Sequence, residues 1–368
     1  MNVKIYGAGS IGNHLAHGCR NKGWEVLICD TDPKALERTQ QDIYPARYGQ
    51  WDAQIRLCTP EDLPHQEFDL VIIGTPPDSH LALAKSELTT RPPKVLLLEK
   101  PVCTPSLEDA QHVLDLAQHA GTVACVGYNH TLTANTQAAE AVLAQQQIGT
   151  PITISAKFRE HWGGIFRAHP WLAGPQDTYL GFWERGGGAS GEHSHAINIW
   201  QHFARACKLG RIVEVSAMLE MVKDETGASY DRVCLIHVKT EQGFVGDIAQ
   251  DVVTEPAQKQ VRIQGDQGYL EWFCNIESGY DAVISWDGNQ EPETQMIAKT
   301  RPDDFKGELD HLEQILTGRA NPSTSPIALE RGLDTMLVIA AAHLSNQHGR
   351  AVKLDYEAGY CRDALELV

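Results

Sequence analysis

A lysine sits between an acidic residue and a proline at the end of an apolar run, Val95-Leu96-Leu97-Leu98-Glu99-Lys100-Pro101. Lysine ordinarily holds its proton to about pH 10.4, so it moves a proton near neutrality only where desolvation or a neighbouring positive charge lowers its pKa. The end of a strand in an open α/β sheet is where such a group would meet a ligand. The plainer alternative is a salt bridge to Glu99. A second set lies in Gly186-Gly187-Gly188-Ala189-Ser190-Gly191-Glu192-His193-Ser194-His195-Ala196-Ile197-Asn198. On a continuous helix Glu192, His195 and Asn198 are spaced i, i+3, i+6 and share one face, with His202 seven residues beyond His195. A histidine oriented by a polar neighbour is a natural acid/base at neutral pH. Lys100, His195 and Glu192 are therefore the candidate catalytic residues. The same cluster contains metal-ligand types, but His193 and His195 would diverge by about 200° around a helix, so no metal is expected.

Gly7-Ala8-Gly9-Ser10-Ile11-Gly12 fits the pattern G-x-G-x-x-G. It follows a strand-like run, Val3–Tyr6, opens a helical pattern, and is followed by Asp30 at the end of a second strand-like run. In that context the pattern predicts a dinucleotide site. Gly7 permits the tight turn, Gly9 lets the backbone approach a pyrophosphate, and Gly12 allows close packing of helix on strand. The N–H groups at the helix start, around Ser10 and Ile11, are the anion contacts. Charge makes this local arrangement necessary. The chain has 31 Lys+Arg against 48 Asp+Glu, a net charge of −17, which disfavours nucleic acid and anionic membranes as partners. The Asp30 carboxylate would accept from an adenosine ribose and repel a 2′-phosphate, and Thr31-Asp32-Pro33 supplies no arginine. NAD is therefore favoured over NADP. Asp32 can cap the next helix, which leaves Asp30 for the cofactor.

The elements needed to position these groups are legible. At 368 residues two domains are expected. Up to Gly127, strand-like runs (3–6, 25–29, 70–73, 95–99, 123–127) alternate with helical patterns (11–19, 33–42, 81–88, 107–120). This predicts a doubly wound, parallel-sheet Rossmann domain over 1–126. Loops at its strand ends, Gly74–His80, Glu99–Pro101 and Gly127–His130, stand where ligands bind. A long helix over 131–147 follows. Strand-like runs then cluster at 152–158, 211–222, 230–238, 244–254, 258–264 and 281–286, two pairs of them joined by the tight turns 241–243 and 265–268. With helices near 190–205, 306–317 and 327–346, residues 127–368 read as an α+β domain on an open, mainly antiparallel sheet. That open sheet predicts a homodimer or homotetramer. Segment 160–188 is glycine-rich and concentrates aromatics in a chain with only 7% of them. Trp162 and Trp171 could pack on sugar rings, and Arg167 and Arg185 could pair with an anionic group. A subunit contact is the alternative for the same loop. Nine cysteines form no C-x-x-C pair and read as buried residues of a reducing cytosol. No run approaches a membrane span and no signal-peptide pattern opens the chain, so a cytoplasmic protein is expected.

At these residues the sequence resembles the Gfo/Idh/MocA oxidoreductases, the glucose–fructose oxidoreductase and inositol dehydrogenase family, over nearly its whole length. Gly7–Gly12 resembles the family's cofactor loop and Asp30 its ribose contact. Thr75, Pro76, Pro77 and His80 resemble the loop that lies along the cofactor. Glu99-Lys100-Pro101 resembles its most characteristic motif, in which the lysine is catalytic. Gly127-Tyr128-Asn129 resembles the start of its crossover segment, and His195 its catalytic histidine. Residues 329–354 resemble its closing helix and strand. The chain departs from the pattern at Gly191, where an acid is usual and Glu192 is the replacement offered, at Asn198, and at His130, where arginine is frequent. The resemblance implies NAD-dependent hydride transfer from a secondary hydroxyl of a sugar, sugar acid, cyclitol or nucleotide-sugar. The hydroxyl proton would leave to Lys100 or His195. Glu99, Lys100 and Asn129 would join the cofactor contacts, and Lys100, Asn129, Trp162, Arg167, Trp171, Arg185, His195 and Asn198 the substrate contacts. Two other classes compete: a glycoside hydrolase using NAD for transient oxidation, and a non-enzymatic dinucleotide sensor.

Overall fold

The computed structural model describes residues Met1–Val368. They form two compact units, neither contiguous in sequence: Met1–Val102, His112–Asn129 and Arg301–Glu330, and Cys103–Gln111, His130–Thr300 and Arg331–Val368. Residues 301–330 belong to the first unit although they follow most of the second in sequence. The physical reason is helix Arg301–Leu316, whose Phe305, Leu309, Leu312 and Ile315 are buried. Leu309 lies over Gly18 of helix Ser10–Asn21, where a Cβ would come within 2.5 Å of it, and Lys22 bonds Asp310 and Glu313 at 2.5 and 3.0 Å.

The first unit holds a six-stranded parallel sheet: β1 (Asn2–Tyr6), β2 (Glu25–Cys29), β3 (Ile55–Cys58), β4 (Leu70–Ile73), β5 (Val95–Leu98) and β6 (Val123–Val126). The order is β3-β2-β1-β4-β5-β6, the doubly wound arrangement whose direction reverses between β1 and β4. Every residue of β4 and β5 is buried, as their unbroken apolar runs require in a sheet covered on both faces. Strand β3 was not expected. Only Ile55 of its four residues is buried, so it carries no apolar run to read.

The second unit is built on a ten-stranded sheet. Its strands are β7 (Pro151–Arg159), β8 (Ile212–Lys223), β9 (Ser229–Thr240), β10 (Val245–Asp251), β11 (Gln258–Gly265), β12 (Tyr269–Glu277), β13 (Tyr280–Trp286), β14 (Glu293–Ala298), β15 (Val352–Leu354) and β16 (Leu365–Leu367). The order is β14-β13-β12-β11-β7-β10-β9-β8-β15-β16. The strand pairs of this sheet are antiparallel except β10 with β7. Both expected turns join hairpins, with Gly243 N–H donating to Thr240 O and Gly265 N–H to Gly268 O. Helices cover one face. Trp200 of helix His195–Ala206 donates to Ile154 O at 2.9 Å, Asn135 of helix Ala134–Ala144 donates to Phe273 O at 2.8 Å, and Ser345 of helix Leu329–His348 accepts from Ala217 N–H at 3.0 Å. On the other face Met218 stands opposite Leu235 and Val245 opposite Lys239, all exposed. A shallow cavity of about 340 Å³ there is lined by Glu214, Ser216, His237, Lys239 and Asp247. No helix of the chain is long and apolar enough to cross a membrane.

Candidate active site

The glycine turn leaves β1 through Gly7, whose φ of +101° is open to glycine and strained for other residues. A Cβ there would lie 2.7 Å from Gly74 O, and one on Gly12 would lie 2.1 Å from Gly7 O. On Gly9 it would meet nothing within 4 Å. The first and third glycines thus serve the chain's own packing, and the second leaves space open. Gly9 is the N-cap of helix Ser10–Asn21 and no side chain caps that end, which suits a helix start that receives an anion. Side chains hold the turn from behind. Asp30 Oδ2 accepts from Ala8 N–H at 2.7 Å, Thr39 Oγ1 donates to Ala8 O, and Asn13 Nδ2 donates to Gly9 O at 2.8 Å. Arg47 donates to Ser10 O and Oγ at 2.9 and 2.7 Å. Asp32 caps the next helix by accepting from Lys34 N–H at 3.0 Å. Asp30 therefore orients the turn as well as standing at the end of β2. Thr39, Asn13 and Arg47 escaped the sequence reading, because nothing local to the glycine pattern marks them. With a free second-glycine space, an uncapped helix start and a carboxylate at the end of β2, the residues present fit a dinucleotide.

The remaining strand ends of this unit line up on the same edge. Gly74 N–H donates to Tyr6 O at 2.8 Å, Glu99 N–H to Ile73 O at 2.9 Å and Gly127 N–H to Leu98 O at 2.8 Å. Lys100 follows β5 directly and is half-buried; its peptide bond to Pro101 is cis. Glu99 is buried, and its carboxylate fills the space that a side chain on Gly127 would need, 2.8 Å from that position. Burial pushes its carboxyl up, against the pull of the neighbouring Lys100. Glu308 is fully buried and raised further, by burial and by Glu99 beside it. Glu99 is thus held against Gly127, beside Glu308. His80 is also held from within the unit. Its Nε2 lies 2.7 Å from Thr75 O and its Nδ1 3.2 Å from Val102 O, and the ring is fully buried with a lowered pKa caused by desolvation. It braces the loop of Thr75, Pro76 and Pro77 from beneath. Pro76 is exposed, Thr75 and Asn129 half-buried, and Pro77 buried at the head of helix Pro77–Thr90.

In the second unit the expected continuous helix over 190–205 is interrupted. A short helix, Gly188–Glu192, ends at His193, and a new one starts at His195. Glu192 and His195 therefore do not share a helix face, and the i, i+3 relation to Glu192 lapses. Asn198 does lie on the helix of His195, but it is buried and donates to Thr335 Oγ1 at 3.2 Å, facing the closing helix. His193 is buried with Nε2 3.4 Å from Glu160 O. His195 is half-buried, and its ring meets His130 edge-on with centroids 4.5 Å apart. His130 in turn lies 5.6 and 5.8 Å from the buried Phe158 and Trp272 rings. The sequence marked His130 only as a departure; its pairing with His195 comes from helix packing on β7 and β12. In the loop 160–188 Trp162 is nearly buried, packed on Tyr230 at 4.8 Å and Phe166 at 5.6 Å. Arg167, Trp171 and Arg185 are exposed. No group of three or more His, Cys, Asp or Glu side chains is arranged to hold a metal.

Two family models match the chain. The Gfo/Idh/MocA oxidoreductase family, NAD-binding Rossmann fold, covers residues 1–128, and the Gfo/Idh/MocA C-terminal domain covers 136–271. No curated protein matches the sequence. Among solved structures, the chain is similar to an aldose-aldose oxidoreductase from Caulobacter crescentus complexed with glycerol, at 19% identity and TM-score 0.74 over 96% of this chain and 99% of that one. It is similar to a levoglucosan dehydrogenase in complex with NADH and levoglucosan, at 16% identity and TM-score 0.74 over 96% and 99%. It is also similar to the WlbA dehydrogenase of Bordetella pertussis in complex with NADH and UDP-GlcNAcA, at 18% identity and TM-score 0.72 over 96% and 98%. At these identities the structures establish a shared fold, and the two family models establish the rest: the chain belongs to the Gfo/Idh/MocA family and is an NAD-binding oxidoreductase.

Proposed function

We propose that the protein is an NAD-dependent dehydrogenase acting on a secondary hydroxyl of a sugar, sugar acid, cyclitol or nucleotide-sugar. The observation that carries this reading is the placement of Lys100 at the end of β5, on the same sheet edge as the glycine turn that leaves β1. Bound NAD supplies the hydride acceptor. Oxidising a secondary alcohol also releases the hydroxyl proton, and the chain must take it. Lys100, in its neutral form, accepts that proton at Nζ, and His195 is the second proton-transfer group. Asp30 selects NAD over NADP by placing a carboxylate at the end of β2, where a 2′-phosphate would be repelled. Arg167, Trp171 and Arg185, exposed on the loop 160–188, are the side chains available to a sugar ring and its anionic substituents. The similar structures in complex with levoglucosan and with UDP-GlcNAcA support this substrate class.

The test is a panel of sugars, sugar acids, inositols and nucleotide-sugars incubated with the protein and NAD, read as NADH absorbance. Net NADH from at least one free polyol is expected. Tight NAD binding with no NADH from any member overturns the reading, and release of an aglycone without net NADH replaces it with the glycoside hydrolase.

Two copies are proposed to associate through the open face of the ten-stranded sheet, where Met218 is 77% and Val245 56% exposed. Met218→Glu is expected to shift the protein towards monomer in sedimentation velocity without changing NADH affinity. An unchanged assembly places the contact elsewhere.

A further inference from the structure

We infer that Ser190, Asp231 and His343 form a buried positioning network that sets the turn carrying His195 and, through the same stretch of β9, both ends of the loop 160–188. This rests on the role proposed above for His195. Asp231 is 0% exposed. Its Oδ2 accepts the Ser190 backbone N–H at 2.7 Å, and its Oδ1 accepts the Ser190 hydroxyl at 3.0 Å. That hydroxyl has one proton, already directed at the carboxylate, so its 3.0 Å contact with His343 Nε2 requires the ring to donate. His343 lies on the closing helix and stacks on Trp183, centroids 4.5 Å apart and planes 19° from parallel. From β10, Gln250 Nε2 donates towards Ala189 O and Ser190 O at 3.4 and 3.3 Å. One serine is thus gripped from β9, β10 and the closing helix.

The backbone around Ser190 is shaped to that grip. Gly188 has φ +78°, and a Cβ on it would lie 1.9 Å from Asp231 Oδ1. A Cβ on Gly191 would lie 2.0 Å from Gly186 O. The chain then closes through His193 N–H to Ala189 O and Ser194 N–H to Gly191 O before His195 opens the next helix. The two residues before Asp231 reach the loop. Ser229 pairs with Phe182 in an isolated bridge, and the Tyr230 ring packs on Trp162 at 4.8 Å. Three consecutive residues therefore touch one end of the loop, its other end and the turn before His195.

The residue types invite comparison with a serine nucleophile, and the order excludes it. Ser190 is 1% exposed, stands between the other two, and gives its proton to the carboxylate instead of to the imidazole. The network acts through His195 and the loop.

The test uses Ser190→Ala, which removes one oxygen, with Asp231→Asn and His343→Phe, the latter keeping a ring over Trp183. Three quantities are read: kcat and KM on the best substrate of the panel, NADH affinity by fluorescence, and amide hydrogen exchange across 186–195. For Ser190→Ala, kcat is expected to fall roughly 10–100-fold with faster exchange in 186–195 and unchanged NADH affinity. Wild-type kcat and exchange in a folded Ser190→Ala protein overturn the proposal. So does a parallel loss of NADH affinity, which reads general loss of structure. If the wild-type protein turns over no polyol, the dehydrogenase reading fails, while hydrogen exchange still decides whether the network holds the turn.

Discussion

Lys100→Ala is expected to lower kcat by roughly 10²–10⁴-fold, the range for loss of a positioned acid/base, while NADH fluorescence still reports binding. The separation of the two effects follows from the fold. The glycine turn is held by Asp30, Thr39, Asn13 and Arg47, none of which touches β5. Lys100→Arg distinguishes proton transfer from charge. Arginine keeps the positive charge but does not deprotonate in proteins, so it should be as inactive as alanine. Activity restored by arginine would mean that the ammonium acts only as a fixed charge. The two variants should differ in stability. Glu99 and Glu308 are buried carboxyls whose pKa values burial raises, and Lys100 draws Glu99 back down. A carboxyl with a folded pKa above its unfolded value contributes stability that is full at acid pH and is lost as pH rises through the folded value. Removing the lysine raises Glu99 further. The melting deficit of Lys100→Ala should therefore grow from acid to alkaline pH, and Lys100→Arg should show less of it. A deficit independent of pH would mean that Glu99 does not feel Lys100.

What the residues revealed before folding, and what they concealed, divides along local and non-local lines. Gly7, Gly9 and Gly12 are legible because a tight turn followed by a close helix constrains neighbours in sequence. β4 and β5 are legible because burial on both faces leaves no polar position. The break at His193 and Ser194 is not, because apolar and polar positions keep helical spacing straight through it. It is imposed by Asp231, whose carboxylate lies beside Gly188 and Ser190 and is supplied from β9. Helix Arg301–Leu316 is legible as a helix but not as part of the first unit, since nothing in an amphipathic pattern says which surface it covers. β14 is exposed at five of its six positions, pairs only with β13, and so has no buried face to betray it. Asn198 and His80 carry a related ambiguity. A polar residue near a site and a polar residue bracing that site are the same letter, and only burial and partners separate them.

The second large effect is expected at the glycine turn, and two substitutions one turn apart should fail differently. Gly9→Ala adds a methyl where the chain has nothing within 4 Å. Its φ of −85° is open to any residue, so folded stability should change by no more than about 1 kcal/mol, the scale of an N-cap exchange. The methyl does occupy the space through which a diphosphate would approach the helix start. Losing two charge-assisted N–H contacts of about 1.5 kcal/mol each weakens NAD binding roughly 100-fold. Gly12→Ala instead drives a methyl to 2.1 Å from Gly7 O, a backbone atom that cannot swing aside. Helix Ser10–Asn21 must lift from β1, so this variant should lose both NAD affinity and thermal stability. Calorimetric titration with NAD and thermal denaturation on the two proteins decide the matter. Gly9→Ala with normal affinity would mean that the open space beside the second glycine is not where the diphosphate lies. Gly12→Ala with a normal melting temperature would mean that helix and strand are not held at the separation that defines the turn.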